Sequence, residues 1–146
     1  MNNSERIAFE MSLRFLLLLD VTDAQSLSAG KLCSIDFICT YAADYGYSDT
    51  NLNGNGSYRF SEYPNRKILT SDALSILVTR GLVIISSSEN GPHYKLSELG
   101  ESAVKKLCSD YAENYWHTAY RVFQQVGTQS ESQLNSLIQD QAMNHL

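Results

Sequence analysis

The chain has little positive charge. Across 146 residues, 11 lysines and arginines face 16 aspartates and glutamates, for a formal net charge of -5. A molecule with that balance presents no overall positive field to a phosphate backbone, so nucleic-acid binding starts at a disadvantage. Cysteine is scarce and unpatterned. Cys33, Cys39 and Cys108 are odd in number, with neither a CxxC spacing nor histidines beside them, which argues against a zinc site and for reduced, mostly buried thiols. Long hydrophobic runs are missing. Leu16 to Leu19 lies between Arg14 and Asp20 and is far too short to span a bilayer, so the expected setting is the cytoplasm, with no secretion signal and no membrane contact.

No catalytic constellation is visible either. His93, His117 and His145 are far apart, and none has the neighbouring serine or cysteine and carboxylate that would make a nucleophile and its base. Asp20 with Asp23, and Asp44 with Asp49, are pairs only along the sequence and read as solvated or capping groups rather than as acid-base partners. The glycines of Asn51 to Gly56 lack the lysine and hydroxyl residue of a phosphate-binding loop and read as a turn. The expectation is a protein that is not an enzyme and holds no metal and no cofactor.

What the chain does have is a strong pattern from Ile68 to Leu107. Ile68, Leu69, Ala73, Leu74, Ile76, Leu77 and Val78 recur at helical spacing, with Thr70 or Ser71 as a candidate cap and Gly81 as the stop. Leu82 to Ile85 is a short β-rich run. Ser88-Glu89-Asn90-Gly91 supplies a turn, His93 to Leu96 returns as a second strand, and a further helix starts near Glu98. Helix, hairpin and helix in this order are the closing half of a winged helix. The fold class expected is therefore mainly α with a small β-hairpin: a winged-helix domain over residues 1–126, including an N-terminal helix, and a C-terminal helical extension over 127–146.

Upstream, Ser4 to Leu19 carries Ile7, Met11, Phe15, Leu18 and Leu19 on one stripe, widened by Leu13, Leu16 and Leu17. That is more apolar surface than a helix facing one partner needs, so this helix should be buried on two sides. After a polar linker, Thr22 to Ser28, a second helix of about fifteen residues is expected, capped by Ser28 and closed by Gly46. The next twenty or so residues are rich in Asn, Gly and Ser, long for a plain connection. Either they are an insertion, or Tyr58-Arg59-Phe60 forms the small first strand of the wing sheet, which is the preferred reading. Pro64 fits the first turn of a short helix leading into Ile68. Beyond Leu107 the helix is expected to continue through Val126 and to break at Gly127, before a last helix from Gln133 to Asn144.

Two surfaces are candidates for function. Tyr111, Tyr115, Trp116 and Tyr120, with Leu134, Leu137 and Ile138 of the last helix, form aromatic and apolar faces suited to a partner, since aromatics with polar tips bury large area at little entropy cost. Packing of the same residues on the first helix as core is the competing reading. Arg66, Lys67 and Arg80 flank the helix that a DNA reader would place in the major groove. Between Lys67 and Arg80, however, the polar candidates are Thr70, Ser71, Asp72, Ser75 and Thr79, and the wing turn carries Glu89. DNA contact is therefore expected to be weak or indirect.

The leucine-rich start, the SIDFICTYAADYG block from Ser34 to Gly46, and the SEYPNRK block from Ser61 to Lys67 together resemble the middle components of bacterial ABC-three component systems, which are related to Lamassu-type defence operons. The resemblance spans about residues 6 to 124. It implies a winged-helix accessory subunit lying between an ATPase similar to SMC or Rad50 proteins, with long coiled coils, and an effector, often a nuclease, acting against phage or plasmids. It carries over no catalytic residue. A winged-helix transcription regulator is the alternative reading.

Overall fold

The computed structural model describes residues 1–146 apart from residue 24. Helix α1 (Asn3–Val21) is started by a reciprocal cap: the Asn2 side chain accepts from the Glu5 amide, and the Glu5 side chain accepts from the Asn2 amide. Its C-terminal half is buried almost without a break from Arg14 to Leu19, as the two-sided apolar stripe requires. Strand β1 (Leu27–Ser28) is only two residues long, and Ser28 then caps helix α2 (Ala29–Thr40) through its hydroxyl.

Every residue of α2 from Leu32 to Thr40 is buried. It is the central helix of the molecule, enclosed by α1 and by the three long helices that follow. For that reason its apolar residues run all round it rather than along one face. It ends six residues short of the expected Gly46. A single 3-10 turn, Ala42–Tyr45, fills the gap and closes at Gly46 with φ +80°, a left-handed conformation cheap only for glycine. The Asn-rich stretch that follows folds back on itself: the Asn51 side chain accepts from the Ala43 amide, the Asn53 amide donates to the Thr40 carbonyl, and Arg59 pairs with Asp44 at 2.7 Å.

Tyr58-Arg59-Phe60 is not a strand. Arg59–Ser61 forms a 3-10 turn, and the first strand of the sheet is β1 instead. Two residues that also serve as a helix cap leave no alternating pattern to read. Helix α3 (Glu62–Thr79) is one continuous element, with Pro64 in its first turn and no separate cap at Thr70 or Ser71. The Thr70 hydroxyl bonds back to the Arg66 carbonyl within the helix. Gly81 (φ +71°) turns the chain into β2 (Val83–Ser88) and β3 (Gly91–Leu96). The sheet is antiparallel in the order β1-β3-β2, with Leu27 opposite Tyr94 and Ser88 opposite Gly91.

Helix α4 (Glu98–Val104) is short, and the chain does not run on helically past Leu107. Ser109 starts a new helix, α5 (Asp110–Val126), by accepting from the Ala112 amide. Helix α6 (Glu131–Asn144) starts with a second reciprocal cap between Ser130 and Gln133. It lies against α2: Leu134 and Ile138 are buried, Glu131 accepts from the Ser28 hydroxyl, and the Tyr63 phenol donates to Asn135.

The hairpin is locked to α4 by close backbone approach. The Ser97 amide donates to the Leu82 carbonyl at 3.1 Å, and a Cβ on Gly100 would collide with that same carbonyl oxygen. Gly100→Ala is therefore expected to lose about 1–3 kcal/mol of stability through forced backbone displacement. Urea unfolding will show it as a lower midpoint with the slope unchanged. A midpoint equal to that of the wild type would contradict this packing.

Candidate partner-binding face

Helix α5 is positioned from beneath by a buried ion network. Asp36, fully buried on α2, accepts from Arg14 of α1 in a two-pronged pair (2.8 and 3.1 Å) and from the Tyr115 phenol of α5 at 2.7 Å. Arg66 of α3 approaches the same carboxylate at 3.6 Å, donates to Thr40 at 2.9 Å, and reaches Glu62 at 3.1 Å. The Arg66 guanidinium also lies over the rings of Phe37 and Tyr41. Four helices thus share one carboxylate. Burial works against the Arg14 charge, but Asp36 more than offsets it, and the guanidinium holds its proton more tightly than usual. Burial, and then the Asp36 charge, push the Tyr115 phenol well above its ordinary value, so it stays a neutral donor.

The opposite side of α5 is open. Its inward face is Ala112, Tyr115, Thr118, Ala119, Val122 and Val126. At its edge half-buried Trp116 stacks on Tyr120, one turn further along, with ring centroids 5.7 Å apart and planes only 12° from parallel. The Trp116 indole donates to Asp20 of α1 at 2.8 Å, which holds the ring in place. Tyr120 is 48% exposed. At the start of the helix Tyr111 is 40% exposed, and its phenol donates to Asn53 at 2.8 Å. Fixed rings with exposed faces are suited to recognition, because little rotamer freedom remains to be lost on contact.

The model of the family ABC-three component (ABC-3C) system Middle Component 2 matches residues 3–146. The chain belongs to that family. No curated protein and no solved structure matches it. Membership as a middle component implies that other components act with it.

In this middle component the residues singled out from sequence fall into two groups. Tyr111, Trp116 and Tyr120 are on the surface or at its edge, whereas Tyr115, Leu134 and Ile138 lie inside the fold and Leu137 is half-buried. Tyr115 is committed to Asp36, and the two α6 residues to the α2 interface, so the contact reading is withdrawn for these three. Arg66 is likewise no phosphate ligand, being 4% exposed and paired internally. Lys67 and Arg80 remain exposed but sit over the rings of Tyr63 and Phe9. They do not form a basic row along α3.

Arg14 and Asp36 were missed in the sequence, though a signal exists. Each is a single charge within an otherwise apolar helical run, LRFLLLL and IDFIC, and a charge in such a run must find a partner. Exposed apolar residues on α3 and β2, Ile68, Ile84 and Ile85, also went unread as surface. Among the described residues no group of three or more histidine, cysteine or carboxylate side chains gathers as a metal site, and no helix is long and apolar enough to cross a membrane. Cys33 and Cys39 are buried and Cys108 is exposed. Burial pushes the Cys33 thiol up to about 11, far from a reactive thiolate at neutral pH.

Proposed function

We propose that this middle component is a non-catalytic winged-helix adaptor of a defence system, docking on an SMC- or Rad50-like coiled-coil ATPase and linking it to a nuclease-type effector. The winged-helix reading is supported by the element order helix, strand, helix, helix, hairpin and by the strand order β1-β3-β2. The adaptor reading is carried by one observation: the stacked pair on α5 of exposed Tyr120 and half-buried Trp116, the latter held by Asp20. Such rings are the side chains that dominate binding energy when a partner covers them. Charge agrees with this role. The chain is acidic, and between Lys67 and Thr79 α3 exposes Ile68, Ser71, Asp72, Ser75 and Val78 rather than a basic row, so contact with nucleic acid through α3 is not favoured.

The experiment is co-expression of the tagged chain with its flanking genes, followed by pull-down and light-scattering mass determination. A stable complex containing a large ATPase is the expected result. A lone monomer or homodimer in the presence of a folded, soluble ATPase would overturn the adaptor reading.

A further inference from the structure

Beside Tyr111 the molecule has a cleft of about 590 Å³ between α1, α5 and the start of α3. Its walls are apolar, built by Leu13, Leu17, Leu107 and Ala112, and its lips carry two carboxylates, Glu10 and Glu62. A smaller hollow of about 180 Å³ adjoins it and shares both carboxylates. Arg14 forms part of the floor, but its charge is taken up by the two-pronged pair with Asp36.

The polar atoms still free to bond here are chiefly acceptors. The Tyr41 phenol has given its proton to Glu62 at 2.6 Å, so its oxygen keeps a lone pair, whereas the Tyr111 phenol donates to Asn53 at 2.8 Å and its oxygen faces Arg14. Arg14 and Arg66 balance Asp36 and Glu62. Glu10 is exposed and, among the described residues, has no hydrogen-bond or ion-pair partner. One negative charge is left over, at the mouth of a cleft whose walls suit an aliphatic stem.

We infer that this cleft is the socket for an arginine side chain presented by the partner subunit. Its methylenes lie along Leu13, Leu17 and Leu107, and its guanidinium spreads donors to Glu10, Glu62 and the Tyr41 oxygen. Arginine fits better than lysine because a planar fork of five donors meets several acceptors at once and is the more weakly hydrated cation. The inference rests on the adaptor reading for the source of the side chain, though not for the site itself.

The test uses the full chain and two probes. The first is N-acetyl-arginine amide, titrated by NMR against N-acetyl-leucine amide and N-acetyl-glutamate amide. The arginine probe is expected to shift the resonances of Leu13, Leu107 and Tyr111, and the other two are not. Glu10→Lys is expected to weaken that binding by about tenfold, and Glu10→Gln by less. Glu10 is exposed, so both variants keep the wild-type melting temperature. The second probe is the coiled-coil ATPase from the neighbouring gene, whose affinity for the chain should fall with Glu10→Lys and lose part of its salt dependence with Glu10→Gln.

An arginine probe that leaves these resonances unmoved, or that binds wild type and Glu10→Lys alike, would overturn the socket. If the arginine probe binds as expected but the ATPase does not bind the wild-type chain at all, the adaptor reading fails and the socket stands. An ATPase that binds wild type and Glu10→Lys equally would show that the partner does not use the socket, and would overturn the inference while leaving the adaptor reading intact.

Discussion

Asp36→Asn is expected to be the most damaging conservative change in the molecule. It keeps the shape of a fully buried side chain but removes, among the described residues, the only ion-pair partner of Arg14 and one of the two of Arg66. Breaking a buried pair on one side leaves an uncompensated ion and costs about 3–5 kcal/mol. In a chain of this size each kcal/mol moves the melting temperature by about 2–4 °C, so a fall of roughly 10–15 °C is expected. Tyr115→Phe, which removes one donor to Asp36 and keeps the ring, should cost only about 1–1.5 kcal/mol. Thermal unfolding followed by circular dichroism separates the two. A fall of less than about 3 °C for Asp36→Asn would mean that the network is not what binds the four helices.

Trp116→Ala combined with Tyr120→Ala carries the second large effect, on binding, with some loss of stability from the half-buried Trp116 as well. If α5 is the docking face, these rings are its anchor. Their loss is expected to weaken affinity for the ATPase subunit by at least about 2 kcal/mol, roughly 30-fold. Tyr120→Ala alone is the cleaner variant, because Tyr120 is 48% exposed and makes no hydrogen bond among the described residues, so its removal leaves folding nearly intact. Calorimetric titration of each variant into the partner measures the loss. Affinities within about twofold of the wild type, with the melting temperature unchanged, would remove α5 from the interface.

The contrast between Tyr115 and Trp116 shows where the sequence becomes ambiguous. Helical spacing identifies an aromatic α5, but two adjacent aromatics point about 100° apart, and either can be the one that faces inward. What decides is Asp36, seventy-nine positions away, which needs a donor inside the core and takes the Tyr115 phenol. The same limit applies to α6. Its narrow stripe of Leu134 and Ile138 is as compatible with a partner as with its own domain until α2 is seen to need covering there.

Other parts were readable because their signals are local. Gly81 stops α3, the turn closing at Gly91 sets the hairpin, and the Ser28 cap marks the true start of α2. Strand β1 was not readable, since two residues show no period. The bounds of α2 were blurred by its burial on all sides, which erases the polar face that would have set its phase and end. Arg66 looked like a surface base because sequence alone does not place Asp36 and Glu62 beside it.

Hydroxyl-radical footprinting of the chain, alone and in complex with its co-expressed partners, tests the central claim most directly. Oxidation of Trp116 and Tyr120 is expected to drop sharply in the complex, while exposed Tyr58 ahead of α3 and Ile84 on β2 stay as reactive as in the free chain. Protection on β2 and α3 with Trp116 and Tyr120 unchanged would place the partner on the wing, and would contradict docking through α5.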